Sequence, residues 1–116
     1  MIIEFKLPLI NAHMTEARVE RIYAEPGARM KIGEKLLDLS VRLGEAFAQD
    51  CPPISYFRVV VRESVVFRRL PTAPGQAIQV GELIALFSSL EDESLDQTPQ
   101  RGLRFVTAGI VYHGQG

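Results

Sequence analysis

"ERIYAEPGARMKIGEKLLDL", Glu20 to Leu39, carries a turn-rich core that reads PGxxxxxGE from Pro26 to Glu34. The core returns as "PGQAIQVGELIALF" from Pro74 to Phe87. A shift of 48 places Pro26 on Pro74, Gly27 on Gly75, Gly33 on Gly81 and Glu34 on Glu82, with Ile32 on Val80. Arg21 falls on Arg69, Met30 on Ile78 and Leu36 on Ile84. Proline presets φ and glycine accepts positive φ, so each core reads as two tight bends ahead of a strand. A single hairpin is marginal in water. Two similar strand–turn–strand units that bury their apolar faces together make a small β-sandwich.

The strand signal extends well beyond the cores. "RVERIYA" alternates apolar and charged residues, and "KLLDLSV", "YFRVVVRESVVFRRL", "ELIALF" and "RFVTAGIVY" are rich in β-branched and aromatic residues. "VRLGEAFAQD", Val41 to Asp50, allows one or two helical turns before Cys51-Pro52-Pro53 stops them. "SSLEDESLDQTPQRG", Ser88 to Gly102, reads as an acidic mobile linker, and strand character resumes after it. Phe105 to Thr107 and Ile110 to Tyr112 allow a hairpin around Ala108-Gly109.

At 116 residues the chain has the size of one domain, and 47% hydrophobic against 23% charged residues places it with globular proteins. A net charge of −1 gives no broad attraction to nucleic acid or anionic membrane. A single cysteine, Cys51, leaves no internal disulfide and no thiolate zinc cage. No apolar run is long enough to span a bilayer and no cleavable leader is recognisable, so a cytoplasmic location is expected.

"HMTEARVERIYAEPGARMKIGEKLLDL" resembles the first half of a lipoyl/biotinyl carrier domain, in particular the lipoyl domains of 2-oxo acid dehydrogenase complexes. The family's Met-x-Glu opening is matched by Met14-Thr15-Glu16, and its Gly-Asp-x-Val-x-x-Gly turn by Gly27 to Gly33, with Ala28 in place of the acid. "PGQAIQVGELIALF" resembles the second half. The resemblance covers about residues 5 to 88 and implies an all-β fold: a flattened β-barrel, or barrel-sandwich hybrid, of two quasi-symmetric halves. The expected division is a lipoyl/biotinyl-like domain at 1–88 with an insertion at about 40–56, an acidic linker at 89–102, and a C-terminal β extension (an extra strand or hairpin) at 103–116.

The family attaches its cofactor to a lysine in a short turn, Glu-Thr-Asp-Lys or Met-Lys-Met. At the matching place this chain reads Asp38-Leu39-Ser40-Val41-Arg42-Leu43, and no lysine follows Lys35. Arg42 cannot substitute, because a guanidinium stays protonated and is a poor nucleophile. From Ser40 to Tyr56 the connection is longer than the family's turn, and the Ala-Pro-x-x-Gly element is replaced within "VVVRESVVFRRL". The expectation is therefore a non-catalytic carrier-like module with no cofactor, acting by protein binding. Loops on a rigid scaffold carry recognition, so Phe47, Asp50, Cys51, Ile54 and Tyr56 are the candidate interaction loop.

The resemblance implies a protein partner, an enzyme of a 2-oxo acid dehydrogenase-like or carboxylase-like system. Homo-oligomerisation through residues 103–113 is a further expectation, from their apolar content. One alternative is a genuine carrier with lipoate or biotin on Lys31 or Lys35; both otherwise read as solvated hairpin amines. Another is a small cysteine enzyme or redox protein using Cys51, which needs a neighbour that lowers the thiol pKa. His13 and His113 lack metal-ligand spacing, so no metal site is expected. Arg62, Arg68 and Arg69 read as a charged strand edge rather than a nucleic-acid patch, with Arg62 and Arg68 on one face.

Overall fold

A computed structural model describes residues 1–10, 12, 14–43 and 54–110, apart from the side chains of residues 15 and 43. Ten strands follow in order: β1 (Ile2–Lys6), β2 (Met14–Ile22), β3 (Arg29–Met30), β4 (Lys35–Leu43), β5 (Ile54–Val61), β6 (Val65–Arg69), β7 (Ala77–Ile78), β8 (Leu83–Ser88), β9 (Arg101–Gly102) and β10 (Phe105–Ile110). No helix occurs among the described residues.

The strands form two five-stranded sheets. Sheet A has the order β3-β6-β8-β1-β9 and sheet B the order β10-β5-β4-β2-β7. The all-β class is as expected. The two sheets are not closed into a barrel: among the described residues each ends in its own pair of edge strands, and no ladder joins one sheet to the other. The core lies between them. Val19, Leu37, Leu39, Val41, Val59 and Val61 of sheet B meet Ile3, Phe5, Val65, Phe67 and Phe87 of sheet A, all at most 1% exposed. Phe67 stacks on Phe87 with centroids 5.2 Å apart.

The two PG cores make matching hydrogen bonds. Gly27 N–H donates to the Phe67 carbonyl at 2.6 Å, and Gly75 N–H to the Val19 carbonyl at 2.8 Å. These bonds interchange under the 48-residue shift. Gly33 N–H donates to Val61 and Gly81 N–H to Leu7; in return Val61 N–H donates to Glu34 and Leu7 N–H to Glu82. The carboxylates of Glu34 and Glu82 accept from the backbone N–H of Lys31 and Gln79. Gly27, Gly33, Gly75 and Gly81 all have φ between 83° and 100°, a region that side-chain-bearing residues avoid.

The ladders agree as well. β3 pairs with β6 as Arg29↔Val66 and Met30↔Val65, while β7 pairs with β2 as Ala77↔Arg18 and Ile78↔Ala17. The register shift beside Lys35/Leu37 in β4–β5 has a counterpart opposite Phe5/Lys6 in β1–β8. Edge strands β9 and β10 differ: β9 runs parallel to β1, whereas β10 runs antiparallel to β5.

Several local expectations are corrected. "YFRVVVRESVVFRRL" is not one strand, because Arg62, Glu63 and Ser64 turn the chain from sheet B into sheet A. Arg62 therefore precedes β6 instead of sharing a strand face with Arg68. Phe105–Ile110 is one continuous strand, so Ala108-Gly109 is not a hairpin tip. Val41 to Leu43 extend β4 and are not helical; residues 44–50 lie outside the described residues. Residues 89–102 are bonded to the rest of the chain at several points. Ser89 N–H donates to Met1, Gln100 N–H to Ile2, and the Arg68 guanidinium to the Glu93 carbonyl at 2.8 Å. The Met1 ammonium pairs with Glu93.

Candidate functional site

Alternation along the central strand of sheet B sets up its outer face. Leu37, Leu39 and Val41 point into the core, so Asp38, Ser40 and Arg42 point out. Glu16 and Arg18 of β2 and Ile54, Tyr56 and Arg58 of β5 lie on that face through the ladder pairs Glu16↔Arg42, Arg18↔Ser40, Tyr56↔Ser40 and Arg58↔Asp38.

Two polar groupings occupy this face. In the first, the Asp38 carboxylate is fully buried yet accepts from the Tyr23 hydroxyl at 2.5 Å and from Arg58 Nε at 2.9 Å. Arg58 Nη2 also donates to the Tyr23 hydroxyl at 2.9 Å. The hydrogen bond that Arg58 donates to Asp38 holds the guanidinium proton more tightly than usual against the opposing effect of burial, and the charge of Asp38 adds to the hold. Arg58 and Lys35 both lie over the Tyr23 ring, 5.2 and 5.5 Å from its centroid. A buried carboxylate needs such partners, and here they tie Asp38 of β4 to Arg58 of β5 and to Tyr23, just after β2.

The second grouping is a cleft of about 270 Å³ lined by Glu16, Ala17, Arg18, Glu20, Ser40, Arg42, Ile54 and Tyr56. The Ser40 hydroxyl donates to Glu20 at 2.9 Å. Glu16 lies 3.6 Å from Arg42 and 3.8 Å from Arg18. Both charges, a hydroxyl, an aromatic ring and the half-exposed Ile54 side chain thus share one concave patch. Arg42 and Ile54 lie at its end, where the chain leaves β4 and returns into β5.

Of the expected interaction residues, Ile54 and Tyr56 stand in this cleft. Phe47, Asp50 and Cys51 lie outside the described residues, as do His13 and His113. Lys31 is exposed in the turn between β3 and β4. Lys35 opens β4, at the end of that strand away from the connection, roughly 26 Å from Leu43 at about 3.3 Å per residue. Asp38 to Leu43, matched above to the family's lysine-bearing turn, is the interior and end of β4. Arg68 is engaged by Ser88 and Glu93.

Glu16, Arg18, Glu20, Ser40 and Arg42 were not among the binding residues expected from sequence. The alternation of "TEARVE" was the available signal, since it places Glu16, Arg18 and Glu20 on one strand face. Among the described residues no buried side-chain polar atom lacks a partner, and no group of three or more His, Cys, Asp or Glu is placed to hold a metal. No helix among them is long and apolar enough to cross a membrane. No family model, curated protein or solved structure matches this chain.

Proposed function

We propose that this chain is a lipoyl/biotinyl-like module, a barrel-sandwich hybrid of two related halves, that lacks the attachment amine and works by binding another protein. The observation that carries the reading is the interchange of hydrogen bonds between the PG cores: Gly27 to Phe67 against Gly75 to Val19, and Gly33 to Val61 against Gly81 to Leu7. A carrier scaffold built from a doubled hairpin accounts for it. The absence of lysine from Asp38 to Leu43, and the position of Lys35 at the far end of β4, support a non-modified module.

Binding falls to the outer face of sheet B. Its cleft joins Tyr56 and Ile54, which supply apolar contact area, to Glu16, Arg18 and Arg42, which supply charge selectivity. An enzyme subunit of a 2-oxo acid dehydrogenase-like or carboxylase-like system is the partner class that the scaffold suggests. The test is co-expression of the full chain with lipoate- and biotin-attaching ligases, followed by intact mass measurement. An unmodified mass is expected. A cofactor mass mapped to Lys31 or Lys35 would make the chain a genuine carrier and overturn the reading.

A further inference from the structure

The two sheets have four edge strands among the described residues, and they are unequal. β3, β7 and β9 are two residues long, too short to template another strand. β10 is six residues long and reads Phe-Val-Thr-Ala-Gly-Ile, with neither charge nor proline. Its ladder to β5 keeps one register from Phe105↔Val61 to Ile110↔Tyr56, without a bulge. Shortness, charge, proline and bulges are devices by which a strand keeps a sheet edge from pairing, and β10 itself has none of them. Val106 is 44% exposed, and Thr107, Ala108 and Gly109 are exposed beside it.

The register tells which backbone groups are open. Arg62 N–H donates to the Arg104 carbonyl at 2.9 Å, one step beyond Phe105↔Val61 in the same register. Hydrogen-bonded pairs alternate along an antiparallel ladder. Residues 104, 106, 108 and 110 therefore turn their backbone toward β5, and Phe105, Thr107 and Gly109 turn theirs away from the sheet.

We propose that β10 pairs antiparallel with β10 of a second copy of this chain about a two-fold axis at Thr107. The outward-facing groups match that arrangement. Thr107 exchanges two N–H···O=C bonds with Thr107 of the second copy, and Phe105 and Gly109 exchange bonds reciprocally on either side. Side chains on one face stay on that face: Thr107 meets Thr107, Phe105 lies across Gly109, and Val106 lies across Ala108. A bulky ring opposite glycine and a threonine pair are favourable cross-strand neighbours. A strand without charge meets no like-charge repulsion when it pairs with itself, which favours a second copy over a partner strand selected by charge. The result is one continuous sheet B across the dimer, with both clefts on the same outer face.

The test is sedimentation equilibrium of the full chain over a wide concentration series, with thermal unfolding as a check on folding. The wild-type chain is expected to form a concentration-dependent dimer. Thr107→Pro removes an outward N–H, leaves the β5 ladder intact, and is expected to weaken dimerisation about tenfold or more. Thr107→Lys and Thr107→Glu each place like charges across the axis; each alone is expected to be monomeric, and their mixture to recover a heterodimer. A wild-type chain that stays monomeric throughout, a dimer indifferent to all three folded variants, or a Lys/Glu mixture that fails to associate would overturn the proposal. It stands on the sheet edge alone, so its failure leaves the mass test of the module's function untouched.

Discussion

The ladder β2-β4-β5 and the ladder β6-β8-β1 keep the same register where they correspond and present different outer faces. On the first, Asp38, Tyr23 and Arg58 form a buried polar network beside an open cleft. In the second, the paired positions that answer to Asp38 and Arg58 hold Leu86 and Glu4, and Pro71 answers to Tyr23 beyond the strand end. Beside them Ile2, Val66 and Ser88 are at most 2% exposed, with residues 89–102 bonded nearby through Ser89, Glu93 and Gln100. Among the described residues, one outer face is thus lined by another segment of its own chain and the other carries polar and charged side chains. The backbone pattern tolerates either choice because it depends on glycines at the bends and apolar residues facing inward, not on the outward side chains.

The comparison can be sharpened by substitution at matched positions. In the core, Phe67 answers to Val19. Phe67→Ala is expected to cost about 3–5 kcal/mol and Val19→Ala about 1.5 kcal/mol, measured by denaturant unfolding. Equal losses would mean that the two core positions are not packed as described. Next in size, Asp38→Ala strips a buried acceptor from Tyr23 and Arg58 and is expected to cost about 1–3 kcal/mol. Truncating both Asp38 and Arg58 should cost less than the sum of the single changes; strict additivity would deny the network.

Gly27→Ala and Gly75→Ala each force a side chain into positive φ with open space around it, so each is expected to lose about 1–2 kcal/mol through backbone strain alone. A large difference between them would break the equivalence of the two turns. The smallest effect concerns Glu63, in the turn between β5 and β6. The hydrogen bonds from the Arg101 side chain hold the Glu63 carboxyl below its ordinary value against the upward push of burial, and the Arg104 backbone N–H adds to the lowering. A depressed folded pKa contributes stability above the ordinary value of 4.5, which is lost as pH falls through the lower folded value. Glu63→Gln is expected to cost at most about 1 kcal/mol at neutral pH and to flatten the acid limb of the stability curve. An unchanged acid limb would remove Glu63 from the account.

Much of this architecture could be read from residues alone, because turn chemistry and β-propensity are local. Pro26-Gly27 and Pro74-Gly75 announced their bends, and β4, β6 and β8 follow the apolar runs. The relation of β1 to β5 could not be read. Leu7 answers to Val61, an offset of 54 rather than 48, because ten positions separate Leu7 from Ala17 whereas four separate Val61 from the equivalent Val65. The network around Asp38 was hidden for a related reason. Tyr23 and Arg58 lie 15 and 20 residues away, and only the register of β4 against β5 and the approach of Tyr23 from the end of β2 bring them together. Asp38 by itself is one acid in an apolar run. The cleft needed the same register, since its walls come from three strands.

The central claim is that two hairpins 48 residues apart occupy equivalent surroundings in one molecule. Scalar coupling across hydrogen bonds, measured by NMR on the labelled full chain, tests it bond by bond. The account predicts a coupling from the Gly27 amide nitrogen to the Phe67 carbonyl carbon, and its twin from Gly75 to Val19. Detection of one without the other, or of either glycine bonded to a different carbonyl, would contradict it.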